Sequence, residues 1–435
     1  MNFSNKLIEI ITDYAESKNV DITCRLVGSM AKNTSLMGKS DIDIFMTFPL
    51  TYSEDKLKEY GLEFGNYCIE KVGGVPEIRY ASHPYTTGII DGYEVDFVPC
   101  YKISDSSELK SAVDRTILHT DYIQSHMTED ETRQVLLLKK FMGSVNTYGA
   151  NYKVSGFSGY LCELLILEYH SFENVVYHAA NHWHNRYRID LEEYGTSDKF
   201  KDPLIVIDPV DKNRNVASAL SMQKFSEFIV ACRNFLSDPK KDYFRDRVIS
   251  VSGDDLCEEF RKRGTDCYVL SFNVPDLPDD VIYPQINKTM NSFVKVSEMY
   301  DFRVIENSYY IDSDNIAHII LEYEFSRLSN VKIHNGPQIR FHENGVNFKN
   351  KYPNAYIRGN KWISISERKY TSVPEMIENI VKKENRSILK LGKNVKDEIT
   401  ENYVLSSVFD LIDKENNEDY EQLFMHLFPD YKLVR

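Results

Sequence analysis

The stretch LVGSMAKNTSLMGKSDIDIFMTFP, residues 26–49, decides the reading of the N-terminal part of the chain. A short β-prone run at residues 22–27 breaks at Gly28-Ser29, and a second run, DIDIFMTF at residues 41–48, alternates polar with apolar side chains. Alternation along a strand puts Asp41 and Asp43 on one face and Ile42 and Ile44 on the other. Carboxylates side by side repel unless a cation lies between them. A third carboxylate, Asp96, stands in YEVDFV (residues 93–98), where Val95 and Phe97 face away from it and Pro99 is expected to end the strand. Three carboxylates on adjacent strands can hold two Mg²⁺ ions about 3.5–4 Å apart. One would activate an attacking hydroxyl; the other would neutralise the leaving oxygen and a triphosphate. Gly28 lets the backbone approach a phosphate, and Ser29 offers both an N–H and a hydroxyl.

Outside this stretch the periods are mixed. Leu7, Ile8, Ile10, Ile11 and Tyr14 suit one face of an N-terminal amphipathic helix, whose charged positions exclude a signal peptide. From about residue 131 the pattern turns helical. Val135, Leu136, Leu138 and Met142 share a face, and LCELLILEY (residues 161–169) is apolar nearly all round, as a buried helix would be. DPVDKNRN, residues 208–215, reads as a polar loop before a helix at residues 224–235. Beyond about residue 250 strand-like runs dominate, with a hairpin of residues 308–311 and 316–325 turning at Asp312–Asn315. Helices return at residues 373–382 and 421–428. The expected fold is α+β and multidomain, with divisions at 1–130, 131–250 and 251–435.

Composition agrees with that scale. A chain of 435 residues amounts to about three domains. With 42% hydrophobic and 27% charged residues it is neither disordered nor fibrous, and no apolar run is long enough to span a membrane. Seven scattered cysteines without a CxxC pair argue against a disulfide framework and a zinc site, and for the cytoplasm. The net charge of −14 excludes a general affinity for polyanions. Residues 331–396 depart from it, with 14 Lys and Arg against five Asp and Glu. Such a segment permits local contact with a polyanion, although a solvated face is the first explanation of it. His182-Trp183-His184 resembles a metal pair on a strand, but no third ligand is near.

Gly-Ser, then ten to twelve residues (eleven here), then an acidic-x-Asp strand and a later acidic strand together are the signature of the DNA-polymerase-β-like nucleotidyltransferases. Further stretches narrow the resemblance: SAVDRTILHTDYI (111–123), LLLKKFMGSVNTYGANYKVSGFSGYLCELLI (136–166), IDPVDKNRNVASALS (207–221) and LSNVKIHNGPQIRFHENGVNFKNKY (328–352). These resemble the archaeal-type, class I CCA-adding tRNA nucleotidyltransferases along nearly the whole chain. The resemblance implies a polymerase-β-like mixed-sheet head (1–130), a helical neck completing the nucleotide pocket (131–250), and an α+β body and tail gripping RNA (251–435). It implies Asp41, Asp43 and Asp96 as ligands of catalytic Mg²⁺. It implies Ser29 and Lys32 on the triphosphate, with His119, Lys139 and Tyr148 also contacting the incoming nucleotide, and Arg214 reading the base edge. Lys32 stands where the family often has arginine, which keeps the charge but gives up bidentate geometry. Asp41 stands where some members carry Glu. Taken singly, a local salt bridge with Asp208 or Asp211 accounts for Arg214, and surface and core positions for Lys139 and Tyr148; only the motif lifts them above that.

The implied activity is template-independent addition of C, C and A to the 3′ end of tRNA from CTP and ATP, releasing pyrophosphate. The partners implied are the acceptor and TΨC arms of tRNA, with room for a homodimer and no membrane. Two rivals share part of the signature: a poly(A)-type polymerase or oligonucleotide synthase, and a non-catalytic RNA-binding module. The latter would be betrayed by a missing carboxylate, and all three are present.

Overall fold

The computed structural model describes residues 3–36, 38, 41–80, 83–414 and 416–433, so parts of the linker between Gly28-Ser29 and Asp41 lie outside the described residues. The chain divides into two compact units, one running to Arg247 and the other from Val248 to Tyr431.

The first unit opens with helix α1 (Phe3–Ser17), strand β1 (Thr23–Val27), the short helix α2 (Gly28–Ala31), β2 (Ile42–Phe48) and helix α3 (Glu54–Lys71). Strands β3 (Glu77–Tyr80), β4 (Pro84–Ile90) and β5 (Tyr93–Tyr101) complete a five-stranded sheet of order β1-β2-β5-β4-β3. It is mixed: β2 and β5 run parallel, and the other neighbours are antiparallel. Alternation sorts its faces. Ile44, Met46, Val95 and Phe97 join Leu7, Ile11, Phe64 and Cys68 in the core beneath α1 and α3. Gly61 lets α3 seat closely, since a Cβ there would lie 2.5 Å from the Pro99 ring. The other face carries Asp43 and Asp96, with Phe45 and Val98 packed on Ile117. Contrary to expectation, β5 continues through Pro99 to Tyr101. Its ladder with β4 begins at Phe97, so Pro99 lies where only β2 pairs with it, a position that tolerates the missing N–H.

Helices α4 (Arg115–His126), α5 (Glu129–Ser144), α6 (Gly159–Tyr169) and α7 (Phe172–Asn181) follow. Thr128 and Glu131 form a capping box that starts α5. Leu138, Phe141, Leu164, Leu165, Val175 and Val176 build the core with Phe225 and Phe228 of helix α8 (Met222–Ser237), and Leu136 is only half-buried. Before α8, β6 (Tyr187–Ile189), β7 (Leu204–Asp208) and β8 (Asp211–Asn215) form a small sheet. The expected loop at 208–215 is therefore the turn and second arm of a hairpin. Its sequence lacks apolar alternation because side-chain hydrogen bonds hold it. Asn215 Oδ1 accepts from the Val206 and Ala217 N–H groups, and its amide donates to Asp202 and the Leu204 carbonyl.

The second unit contains helix α9 (Gly253–Arg263), β9 (Asp266–Asn273), α10 (Asp279–Met299), β10 (Val304–Ile311) and β11 (Ile316–Tyr323). The expected hairpin is β10–β11, part of an antiparallel sheet of order β10-β11-β9-β15 with β15 (Val404–Ser407). The 21-residue α10 corrects the expectation that strands dominate here. Its buried stripe of Ile282, Ile286, Met290, Phe293 and Val296 has helical spacing, obscured in sequence by the internal Pro284. A second sheet of order β12-β14-β13 joins β12 (Val331–Gln338), β13 (Tyr356–Arg358) and β14 (Lys361–Glu367), with α11 (His342–Lys351) packed on one side. Helix α12 (Val373–Ile380) and a helix at Asn417–Leu427 answer to the two expected near the C-terminus. No helix among the described residues is long and apolar enough to cross a membrane.

Candidate active site

Parallel pairing of β2 with β5 sets Asp43 directly opposite Asp96, and β4 adds Thr87 to the same row. Gly28 passes over this row. Its φ of +71° is costly for a side-chain-bearing residue, and a Cβ there would sit 2.1 Å from Asp43 Oδ2. Ser29 follows in the same turn. Asp41 departs from expectation, because the ladder begins at Ile42 and leaves Asp41 exposed just before the strand. Its charge is still felt by its neighbours. Burial, then repulsion from Asp96 and Asp41, pushes the Asp43 carboxyl up to about 7. Burial, with the Glu94 and Asp41 charges, raises Asp96, and burial with Glu94 raises Asp41. Arg79, paired with Glu94, offers partial counter-charge.

Whether these residues suit Mg²⁺ can be judged from their own chemistry. Asp96 Oδ1 is buried without a hydrogen-bond partner among the described residues, and all three carboxyls are held above their ordinary range, as anions lacking a cation would be. No group of three or more His, Cys, Asp or Glu among the described residues is arranged to hold a metal ion. Mg²⁺ does not need such a group: it binds through one or two carboxylates and completes its shell with water and substrate phosphates. The residues fit.

A second cluster lies beside the turn. Lys32 Nζ is 2.5 Å from Glu163 Oε2, Thr34 Oγ1 donates to Glu163 Oε1 at 2.5 Å, and Lys139 Nζ lies 3.6 Å from Glu163 Oε1. Lys139 also donates to the Thr34 carbonyl at 2.8 Å. Glu163 and Lys139 are fully buried and Lys32 nearly so. Burial pushes the Lys139 ammonium below its usual range, against the pull of Glu163. Tyr148 belongs to the same cluster: a Cβ at Gly159 would lie 3.3 Å from its hydroxyl and 3.4 Å from Lys139 Nζ. Two ammoniums against one carboxylate leave a net positive charge, which reaches Asp43 through Lys32. A cleft of about 740 Å³ opens alongside, lined by Ser35, Leu36, Arg133, Lys139 and Tyr148 among others.

A third cluster centres on Asp208 at the end of β7. Its Oδ2 accepts from Arg214 at 2.9 Å and pairs with His119 Nε2 at 2.8 Å. The His119 ring stacks on Tyr160 at 3.9 Å, and Lys32 Nζ lies 5.6 Å from the Tyr160 ring, joining this cluster to the second. Burial pushes His119 down while Asp208 opposes it; His119 and Arg214 hold Asp208 low although it is buried.

The structure thus brings Lys32, Lys139 and Tyr148 together, and His119 with Arg214, around the turn that carries Ser29. Glu163, Tyr160, Thr34 and Arg79 escape the sequence reading, whereas the local salt bridge open to Arg214 there is the one it makes with Asp208. Glu163 is the one with a signal: a charged residue in an otherwise apolar buried helix requires partners. His182 and His184 are exposed and form no metal site among the described residues.

A mixed sheet with in-register carboxylates beneath a Gly-Ser turn defines a polymerase-β-like nucleotidyltransferase, and a nucleotidyltransferase domain model matches residues 6–119. Two further models match: tRNA nucleotidyltransferase, second domain, over residues 133–245, and CCA-adding enzyme, C-terminal domain, over residues 263–407. The CCA-adding enzyme of Methanothermobacter thermautotrophicus is 43% identical over 429 residues, covering 99% of this chain and 94% of that one. That of Methanocaldococcus jannaschii is 39% identical over 390 residues, covering 87% and 85%. The chain belongs to the archaeal-type CCA-adding enzyme family. Among solved structures, Cid1 poly(U) polymerase with bound Mg 3′-dATP aligns at a TM-score of 0.41 with 12% identity, covering 56% of this chain and 99% of that one. The mtPAP complex with GTP aligns at 0.40 with 12% identity, covering 52% and 61%.

Proposed function

We propose that this enzyme adds C, C and A to the 3′ end of tRNA from CTP and ATP, without a nucleic-acid template. The observation that carries the chemistry is the Asp43–Asp96 pair in register under Gly28. Identity to CCA-adding enzymes over nearly the whole chain supports the substrate. Mg²⁺ held by Asp43 and Asp96, with Asp41 at the margin, would supply charge neutralisation at the triphosphate and lower the pKa of the attacking hydroxyl. The chain's own groups do the positioning. Ser29 and the Lys32–Lys139–Tyr148 cluster hold the triphosphate. Arg214 presents fixed donors to the base edge, where cytosine and adenine offer acceptors that uracil and guanine do not match. His119 lies beside it.

The division of labour that goes with this reading is a catalytic head (1–130), a neck (131–250) and a body and tail (251–435) whose basic segment meets tRNA phosphates on the acceptor and TΨC arms. Free cysteines throughout suit the cytosol. The test is a tRNA transcript ending at its discriminator base, given CTP, ATP or both with Mg²⁺. CTP alone should add C and C, ATP alone nothing, and both together the full CCA. Long A tracts from ATP alone would instead mark a poly(A)-type polymerase.

A further inference from the structure

Asp208 closes the fully buried strand β7 and is itself completely buried. All its acceptor capacity is spoken for. Oδ2 carries Arg214 Nη1 and His119 Nε2, while Oδ1 accepts from the Val210 N–H at 3.1 Å and the Tyr160 hydroxyl at 3.3 Å. Four donors from the β7–β8 hairpin, α4 and α6 leave this carboxylate one orientation. A guanidinium has five N–H groups in a rigid plane, so anchoring it at Nη1 fixes where the others point. The Arg214 side chain remains 33% exposed, so the fork is tied at Nη1 while part of it stays accessible. An ionised carboxylate only accepts, so His119 must carry its hydrogen on Nε2, and stacking on Tyr160 fixes the ring. One buried oxygen thus sets both Arg214 and His119.

We propose that Asp208 is the positioning residue for nucleotide discrimination, acting through Arg214; this rests on the reading of Arg214 as the base-selecting group. A residue that acts through another has no separate effect once that other is removed.

The experiment measures kcat/KM for CTP, ATP, UTP and GTP on one tRNA acceptor with wild-type enzyme, Arg214→Ala, Asp208→Asn and the double variant. Asp208→Asn keeps the shape but turns an amide toward His119 and weakens the hold on Arg214. Its preference for CTP and ATP over UTP and GTP should fall by about tenfold or more, as for Arg214→Ala, and the double variant should fall no further. Uniform loss across all four nucleotides in Arg214→Ala would overturn the underlying reading of Arg214. Lost discrimination in Arg214→Ala but not in Asp208→Asn would overturn this inference alone, as would additive losses in the double variant. Should circular dichroism show Asp208→Asn unfolded, Asp208→Glu decides. It keeps the charge and pairs but pushes the guanidinium outward, so unchanged discrimination there would also overturn the proposal.

Discussion

Asp43 and Asp96 stand opposite one another across the parallel step from β2 to β5, on the sheet face turned away from α1 and α3. A parallel ladder needs a long crossover, and here α3, β3 and β4 intervene before β5 returns beside β2. Two carboxylates distant in the chain are thereby held together by backbone pairing, with repulsion between them and a glycine backbone above. This is an anionic site built at a cost in stability, which a divalent cation would relieve.

Asp43→Asn and Asp96→Asn should each lower nucleotide addition by at least about a hundredfold, because removing a ligand from the ion leaves charge at the α-phosphorus uncompensated. Neither should harm the fold, since each removes a like-charge repulsion. Primer extension with Mg²⁺, beside circular dichroism, checks both statements. Near-wild-type turnover in either variant would remove the metal assignment.

The same repulsion makes stability depend on pH with a definite sign. Burial and the neighbouring carboxylates push the Asp43 carboxyl up to about 7 in the folded protein, against 3.8 for the ordinary group. Between those values the folded state keeps a proton that the unfolded state has lost, so stability falls as pH rises through the window and levels off above it. Asp41 and Asp96, also raised, act in the same direction. In EDTA, Asp43→Asn should therefore gain in Tm over wild type as pH rises from about 4 to about 7. Added Mg²⁺, which binds the ionised form, should stabilise wild type more at pH 8 than at pH 5. A Tm difference that ignores pH would mean that Asp43 ionises as it would in water.

Much of this site is legible in the sequence, for a physical reason. Strand alternation is a local rule, so DIDIFMTF and YEVDFV disclose which face each carboxylate takes. Register between strands is not local, and neither are partners supplied by distant helices. Glu163 meets Lys32 across 131 positions and His119 meets Asp208 across 89, and no periodicity links them. The β8 strand is hidden because Asn215 replaces apolar alternation with side-chain hydrogen bonds, and α10 because Pro284 interrupts a regular stripe.

The basic segment yields a more selective prediction in three dimensions than in sequence. Arg368 is mostly buried and paired with Asp301, and Lys369 sits over the Tyr300 and Tyr370 rings, so replacing them would disturb packing. Arg358, Lys361, Lys382 and Lys383 are exposed. Alanine at Arg358/Lys361 or Lys382/Lys383 should weaken tRNA binding and flatten its dependence on salt, by about one in slope for each phosphate no longer neutralised. Single-turnover chemistry at saturating RNA should change little. Filter binding from low to moderate salt is sufficient, and an unchanged slope in both pairs would return the segment to a solvated face.

The two lysines on Glu163 are expected to differ from their carboxylate in what their loss does. Lys139→Met leaves Glu163 with Lys32 and the Thr34 hydroxyl, so the buried charge stays paired. Lys32→Met leaves Glu163 with Lys139 and Thr34. Glu163→Gln leaves two ammoniums buried without an anion, a situation that typically costs about 3–5 kcal/mol. Chemical denaturation should therefore rank Glu163→Gln as clearly the least stable of the three. Binding should rank them otherwise. Either lysine variant removes positive charge from the proposed triphosphate site and should raise KM for CTP and ATP together, with the preference among nucleotides kept. Glu163→Gln keeps both charges but loses the group that fixes them. Its alkaline limb for nucleotide binding should move to lower pH, because Lys139, already held low by burial, loses the charge that opposes that shift. Equal stability of all three variants, with an unmoved alkaline limb, would mean that Glu163 does not organise the lysines and that the cluster is packing alone.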